Sequence, residues 1–154
     1  NTSADEEVLV AIGGLSASLG AADITEIEFI TTSFDKSDGG TIQARVRFNE
    51  PVVVSTSGGT PTLSVTNGNQ GSGSGRGPHA LAYASGTGTN ELVFSLTIGA
   101  ANAATNAGDI LVIGANAVAL NSGTIKDVAT STTNATITHS SAIGTAAGSI
   151  TVAA

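Results

Sequence analysis

The chain contains no cysteine, methionine or tryptophan, and it has one tyrosine and four phenylalanines. Without cysteine it can form neither disulfide bonds nor thiolate metal sites. Charged residues make up 11% of the sequence, against about 25% in typical globular proteins. Only five residues are basic, too few for a patch that would neutralise nucleic-acid phosphates or adhere to an anionic membrane. We therefore expect neither nucleic acid nor a membrane as a partner.

Small and β-branched residues dominate what is present. The 154 residues include 20 glycines, and 40% of the chain is hydrophobic. The net charge is −7, and the first 30 residues carry acidic side chains without a single basic one. This composition is typical of a β-rich domain with many turns, whose surface is made polar by hydroxyl and amide groups.

Apolar residues recur at strand spacing from residue 24 onward. In TIQARVRF, at 41–48, apolar and polar side chains alternate without a slip, which predicts a strand with one buried face. ITEIEFI, TPTLSVT, HALAYAS and ELVFSLTIG follow similar patterns between turn signals. We predict an all-β domain over 23–154, an antiparallel Greek-key β-sandwich, with at most one helical turn at 100–108.

Residues 1–22 lie outside this strand pattern and are predicted to form an N-terminal arm. Ser3-Ala4-Asp5-Glu6 fits a helix capping box, but VLVAI at 8–12 could equally be a strand added to another sheet. Acidic residues precede the apolar run where a secretory signal has basic ones, so we expect the run to belong to the mature protein. The arm carries an apolar cluster that the sandwich core does not need: Val8, Leu9, Val10, Ile12 and Leu15. Exposed apolar segments tend to be interfaces. We expect this one to dock on a neighbouring subunit, and the alternative is that it folds back on its own domain.

The stretch RVRFNEPVVV, at 45–54, places a carboxylate and a proline inside the most β-prone part of the chain. Glu50 could be a catalytic acid with a raised pKa, or it could mark the boundary between two strands. Because proline lacks the N–H donor of a ladder, we expect the strand to end near Asn49. Glu50 would then turn toward solvent, and burial would restart at Val52.

No catalytic constellation is evident in the sequence. His79 and His139 lie in no triad-like motif, and GSGSG at 71–75 has no helix after it, as a nucleophile elbow requires. Glu50 and Glu91 are the acids nearest strong strands, but the aromatic lining of a sugar cleft is missing. We therefore expect no enzymatic activity and no cofactor.

A calcium site is the one metal chemistry that the sequence leaves open. FDKSDGG places Asp35 and Asp38 in a glycine-containing turn, loosely like a Ca²⁺ loop, and Asp109 or Asp127 could supply further oxygen ligands. Aspartate–glycine turns are also routine between strands. The pair Lys126-Asp127 is better explained as a turn in which the aspartate accepts backbone N–H bonds.

Several motifs occur in a characteristic order: RVRFNEPVVV, GGTPTLSV, YASGTGTNELVFSLTIG, ALNSGTIKDVA and a closing GTAAGSITV. This order resembles the bacterial immunoglobulin-like repeats found in tandem in long surface adhesins and singly in phage structural proteins. The resemblance spans 34–152, about three-quarters of the chain. It departs from the family at Val128-Ala129-Thr130, where a glycine and an asparagine are usual, in the long 67–77 loop, and in the arm.

Members of that family are spacers and display modules, so the resemblance implies a structural role. The leading expectation is a phage capsid decoration protein at the virion surface, whose arm docks on subunits of the same assembly, as a homo-oligomer. The alternative is a module or subunit of a bacterial cell-surface adhesin or filament. A weakly bound host-surface glycan is a further partner to consider.

Overall fold

A computed structural model describes residues 20–68 and 77–154, and within these ranges strands are the main regular secondary structure. The strands are β1 (Ile24–Phe29), β2 (Phe34–Asp35), β3 (Gly40–Ser55), β4 (Thr62–Asn67), β5 (His79–Ser85), β6 (Thr89–Ile98), β7 (Ile110–Val112), β8 (Val118–Ala119), β9 (Thr124–Asp127) and β10 (Ser149–Ala153). One short helix, α1 (Ser141–Ala146), precedes the last strand. The prediction of an all-β protein is confirmed.

The strands form one sheet in the order β1-β3-β6-β5-β4-β7-β10-β2, with β8 paired to β4 and β9 to β3. Only residues 36–39 connect β2, at one end of this order, to β3, next to the other end. The sheet therefore curls back on itself around a common core. The ladders are antiparallel as predicted, except that β2 and β10 run parallel. This pair joins segments more than 100 residues apart in sequence, so the parallel pairing could not be predicted from a local sequence pattern.

The core comes from the alternation that the sequence predicts. Along β3 the side chains of Ile42, Ala44, Val46 and Phe48 are fully buried. On β6, Leu92 and Phe94 are likewise buried, and the Phe94 ring meets Tyr83 edge-on, with the ring centroids 6.0 Å apart. Because successive strand side chains point to opposite faces, the intervening polar residues form the outer surface.

Strand β3 differs from its prediction, because it does not end near Asn49 but runs through Pro51 to Ser55. The alternation also continues, and Val52 is buried like Phe48. Pro51 is accommodated because β3 changes neighbours here. The N–H of Asn49 binds the carbonyl oxygen of Asp23, just before β1, whereas the carbonyl of Pro51 accepts from Val128, just after β9. At the changeover the missing proline N–H costs no ladder bond. The proline does disturb the pairing with β6, whose register shifts between Arg47 and Val52.

The helix is a second difference. We predicted at most a helical turn at 100–108, but that segment forms turns, and the helix lies at Ser141–Ala146 instead. Six residues are too few to display a helical period. Tertiary contact holds the helix in place: Gly144 is buried, and a Cβ there would collide with the carbonyl oxygen of Gly114.

Candidate functional site

The predicted interface residues Val8, Leu9, Val10, Ile12 and Leu15 lie outside the residues that the structure describes. The structure does show how the domain holds the start of β1, next to the arm. Ala22 is fully buried, and its carbonyl oxygen accepts a hydrogen bond from the N–H of Thr136, at 2.7 Å. The N–H of Asp23 donates to Oδ1 of Asn49, at 2.8 Å. A truncation of the arm should therefore keep Ala22.

Glu50 lies where β3 passes from β1 to β9. The expectation that it turns toward solvent is wrong, because the unbroken alternation of β3 keeps it on the core side. Its side chain is half-buried, and Oε1 is enclosed with no hydrogen-bond partner among the described residues. Burial raises the pKa of the Glu50 carboxyl, and the negative charges of Asp127 and Asp23 raise that pKa further. The sequence shows Glu50, but only the fold brings the two aspartates to it.

We expect the substitution Glu50→Gln to stabilise the protein at neutral pH. A carboxyl whose folded-state pKa is raised favours folding below its unfolded pKa and loses that contribution as the pH rises through the folded pKa. The gain from Glu50→Gln should therefore vanish in acid below about pH 4. Thermal unfolding of both proteins at neutral and acidic pH measures the difference.

Glu91→Gln is the matched control for this prediction. Hydrogen bonds from Arg47, with further contributions from Arg45, lower the pKa of Glu91. The same reasoning then gives the opposite sign: the variant should be less stable at neutral pH and equal to the parent in acid. A Glu50→Gln protein that is less stable than the parent at neutral pH would contradict the burial of this carboxyl.

Glu91 belongs to a charged ladder on the outer face of β1, β3 and β6. Arg47 binds Glu91 and Glu26, each at 2.6 Å, and Arg45 binds Glu28 and Glu91. Arg47 and Glu50 occupy opposite faces of β3, so Glu91 on the outer face and Glu50 on the inner face do not flank one cleft. With three glutamates and two arginines, the ladder pairs most of its charges and leaves one negative charge in excess on this polar face.

In the predicted turn at Asp35, the aspartate side chain forms hydrogen bonds within the turn itself. Oδ1 of Asp35 accepts hydrogen bonds from the backbone N–H and the hydroxyl of Ser37, at 2.7 and 2.6 Å, and these bonds lower the pKa of Asp35. Asp127 accepts the N–H of Ala129 at 2.6 Å, which confirms its predicted turn chemistry. In residues 20–68 and 77–154, no group of three or more acidic or histidine side chains is arranged to hold a metal ion.

Three polar residues meet on the core side of the sheet, on β4, on β5 and just before β7, and the sequence does not predict that they meet. Asn67, His79 and Asp109 are all buried, and the amide nitrogen of Asn67 donates to Oδ2 of Asp109 at 2.6 Å. Oδ2 also accepts the backbone N–H of Asn106, at 2.9 Å. Nε2 of His79 is enclosed without a described partner, and burial lowers the pKa of this imidazole. One feature of the sequence indicated this cluster: Asn67 is a polar residue at a position where the alternation of Leu63 and Val65 predicts an inward-facing side chain.

The second histidine has a structural role. Nε2 of His139 accepts a hydrogen bond from the backbone N–H of Ala117, and the backbone N–H of His139 donates to Oδ1 of Asn116, each at 2.9 Å. His139 thus fixes the turn that precedes β8. The two histidines lie in separate environments, in line with the absence of a triad-like motif around either of them.

Two of the motifs quoted from the sequence contact each other. The side-chain amide of Asn121, in ALNSGTIKDVA, donates to the carbonyl oxygen of Thr60 and to the hydroxyl of Thr62, at 3.1 and 2.9 Å. Gly59, in GGTPTLSV, packs so closely on this turn that a Cβ would overlap the carbonyl oxygen of Asn121. These motif residues therefore hold the two loops together.

We expect Gly59→Ala to lower the free energy of unfolding by about 1–3 kcal/mol, the usual cost of forcing extra atoms into a packed site. The obstructing atom is a backbone oxygen, which no side-chain rotation can move. Gly99→Ala is the control, because a Cβ there meets no atom within 4 Å. Urea unfolding measures both variants, and equal stabilities would contradict the close approach of the two loops.

An open groove of about 480 Å³ lies where β7 leaves the sheet beside the C-terminal end of α1. It is lined by Val112, Ile113, Gly114, Thr145, Gly148 and Ser149. None of these described lining residues has a titratable side chain. The groove therefore offers surface for packing rather than groups for chemistry.

Among the described residues, no helix is long and apolar enough to cross a membrane. A scan against protein-family models finds no match to this chain. Searches of curated proteins and of solved structures find no similar protein either. The assignment of a function therefore depends on the residues and contacts described above.

Proposed function

We propose that this chain is a non-enzymatic structural protein of a large assembly. In this proposal residues 23–154 form an immunoglobulin-like Greek-key sandwich that is displayed outward, and the apolar arm docks on a neighbouring subunit. A phage capsid decoration protein at the virion surface is the specific form that we favour. The partner is then another protein subunit of the same assembly.

The contact between the GGTPTLSV and ALNSGTIKDVA motifs carries this proposal. Residues that act on a ligand must keep polar groups free for it, whereas Asn121 directs its amide at Thr60 and Thr62. The hairpin motif YASGTGTNELVF behaves in the same way, because the hydroxyl of Tyr83 accepts the N–H of Thr87 at 2.9 Å. In these motifs the polar groups form hydrogen bonds that join loops to strands within the domain, which supports a structural role.

The outer face of the sheet supports the same role. Arg45 and Arg47 are bound to glutamates of neighbouring strands, so most of the charges are paired within the domain. A surface whose charges are largely paired exerts only a weak field on charged ligands. The docking function then falls to the arm, whose apolar cluster differs from the rest of the chain.

The arm is tested by its own substitution in the full chain. We expect sedimentation velocity to show that the parent protein associates with itself, and that a variant with Val8, Val10 and Ile12 replaced by serine is monomeric. A variant with Thr2 and Ser3 replaced by alanine is the control and should associate like the parent. Circular dichroism should give all three the same β-sheet spectrum.

Two results would count against this function. If the parent and the serine variant sediment as the same monomer at all concentrations, the arm does not join copies of this chain. If the serine variant loses its β-sheet spectrum or melts at a lower temperature, the arm packs on its own domain, which is the alternative left open by the sequence.

A further inference from the structure

A lysine and an asparagine from distant parts of the chain meet near Asp109, one of the three buried polar residues described above. Nζ of Lys36, which follows β2, donates a hydrogen bond to Oδ1 of Asn106 at 2.7 Å. The two residues are 70 positions apart, and both side chains are half-buried. Asn106 lies in the loop between β6 and β7, so the contact ties the end of the sheet order to this loop.

The backbone on both sides of the contact is held in place. Lys36 donates its N–H to the carbonyl oxygen of Ala153 and accepts the N–H of Ala101, at 3.2 and 2.7 Å. Asn106 exchanges two bonds with Asp109: its N–H donates to the carboxylate at 2.9 Å, and its carbonyl oxygen accepts the aspartate N–H at 3.0 Å. Side chains on mobile backbone segments would separate readily. Here the backbone hydrogen bonds on both sides restrain the two segments and keep the side chains of Lys36 and Asn106 in contact.

We propose that Lys36 and Asn106 form an intramolecular isopeptide bond. The amine nitrogen Nζ of Lys36 attacks Cγ of Asn106, an Nζ–Cγ bond forms, and the bond from Cγ to the amide nitrogen breaks. That nitrogen takes up a proton and leaves as ammonia, so the products are one secondary amide and one ammonia molecule. No oxidant, reductant or other reactant is consumed.

We assign the proton transfers of this step to Asp109, the carboxyl that binds the backbone N–H of Asn106. Its side chain is fully buried and contacts the backbone of the reacting asparagine. In the proposed reaction this carboxylate accepts the proton that the amine loses and returns it to the departing nitrogen. Holding the amine and the amide together in a fixed geometry supplies the remaining acceleration, as in other intramolecular reactions.

Intact-mass spectrometry of the purified full chain tests the proposal. We expect a mass lower than the sequence predicts by one ammonia molecule, and a branched tryptic peptide that contains both Lys36 and Asn106. The variant Lys36→Arg keeps a cationic donor for Asn106 but has no nucleophilic amine, so it should have the full mass. Lys126→Arg is the matched control, because it changes the other lysine and should keep the lowered mass.

The outcomes separate the isopeptide bond from its competitors. An unchanged parent mass would leave only a hydrogen bond and overturn the proposal. A lowered mass that persists in Lys36→Arg would also overturn it, because a succinimide at Asn67-Gly68 loses ammonia without any lysine.

The role of Asp109 has its own test. Asp109→Asn retains an acceptor oxygen for the N–H of Asn106 but cannot transfer the proton. When parent and variant are purified in parallel and incubated for the same times, the variant should contain a smaller fraction of molecules with the lowered mass. Equal fractions at all times would overturn the assistance by Asp109.

Discussion

Replacing Phe94 by alanine should lower the free energy of unfolding by about 3–5 kcal/mol, the usual cost of deleting a buried phenylalanine ring. The side chain is completely enclosed at the centre of the curled sheet. Its cross-strand neighbours are Ala44 on β3 and Tyr83 on β5. Alanine is too small to refill the space, and the edge-on contact with the Tyr83 ring is lost as well. Urea unfolding followed by circular dichroism gives the change.

Phe29→Ala is the control for this prediction. Phe29 lies at the end of β1 and is only partly buried against the core, so its removal leaves a smaller cavity that water can reach. We expect a clearly smaller loss of stability than for Phe94→Ala. Comparable losses in the two variants would mean that the core is not centred on β3, β5 and β6.

Replacing Asp109 by alanine should lower the free energy of unfolding by about 3 kcal/mol, because two donors lose a common acceptor where solvent is scarce. These donors are the amide of Asn67, which is buried, and the N–H of Asn106. The loss is large for a residue in a turn-rich region, where most substitutions change stability by about 0.5 kcal/mol or less. Thermal and urea unfolding both measure it.

Asp109→Asn distinguishes hydrogen bonding from packing. The amide oxygen can still accept one of the two bonds, so this variant should be more stable than Asp109→Ala. Asp38→Ala is a second control, because Asp38 is exposed at the end of the Asp35 turn and should change stability little. If Asp109→Ala behaves like Asp38→Ala, the carboxylate is not a structural acceptor.

Much of the fold could be predicted from local patterns. The alternation in TIQARVRF placed the core residues of β3 correctly, because a strand turns successive side chains to opposite faces whatever its neighbours are. The glycine- and threonine-rich turns likewise marked where strands end. The same logic failed at Pro51, since it treated the proline as a terminator. Whether a missing N–H matters depends on whether a partner strand needs it there.

Less of the candidate site could be predicted. Glu50 was recognised as unusual, but its surroundings include Asp23 and Asp127, which are distant in sequence. The row formed by Asn67, His79 and Asp109 was not recognised, because each residue looks ordinary in its own segment. Only the pairing of β4 with its neighbours places them together. The contact between Lys36 and Asn106 likewise depends on the tertiary fold, because the two residues are 70 positions apart in sequence.

The sequence by itself determined that this protein is all-β, low in charge and cysteine-free, and it determined which face of each main strand is buried. These properties depend on composition and on a period of two residues, which act over a few neighbours. The tertiary structure decided how the sheet curls, where β3 changes partners, and which polar side chains meet in its interior. Such contacts join residues 40 to more than 100 positions apart, and their energies depend on burial, which exists only once the chain has folded.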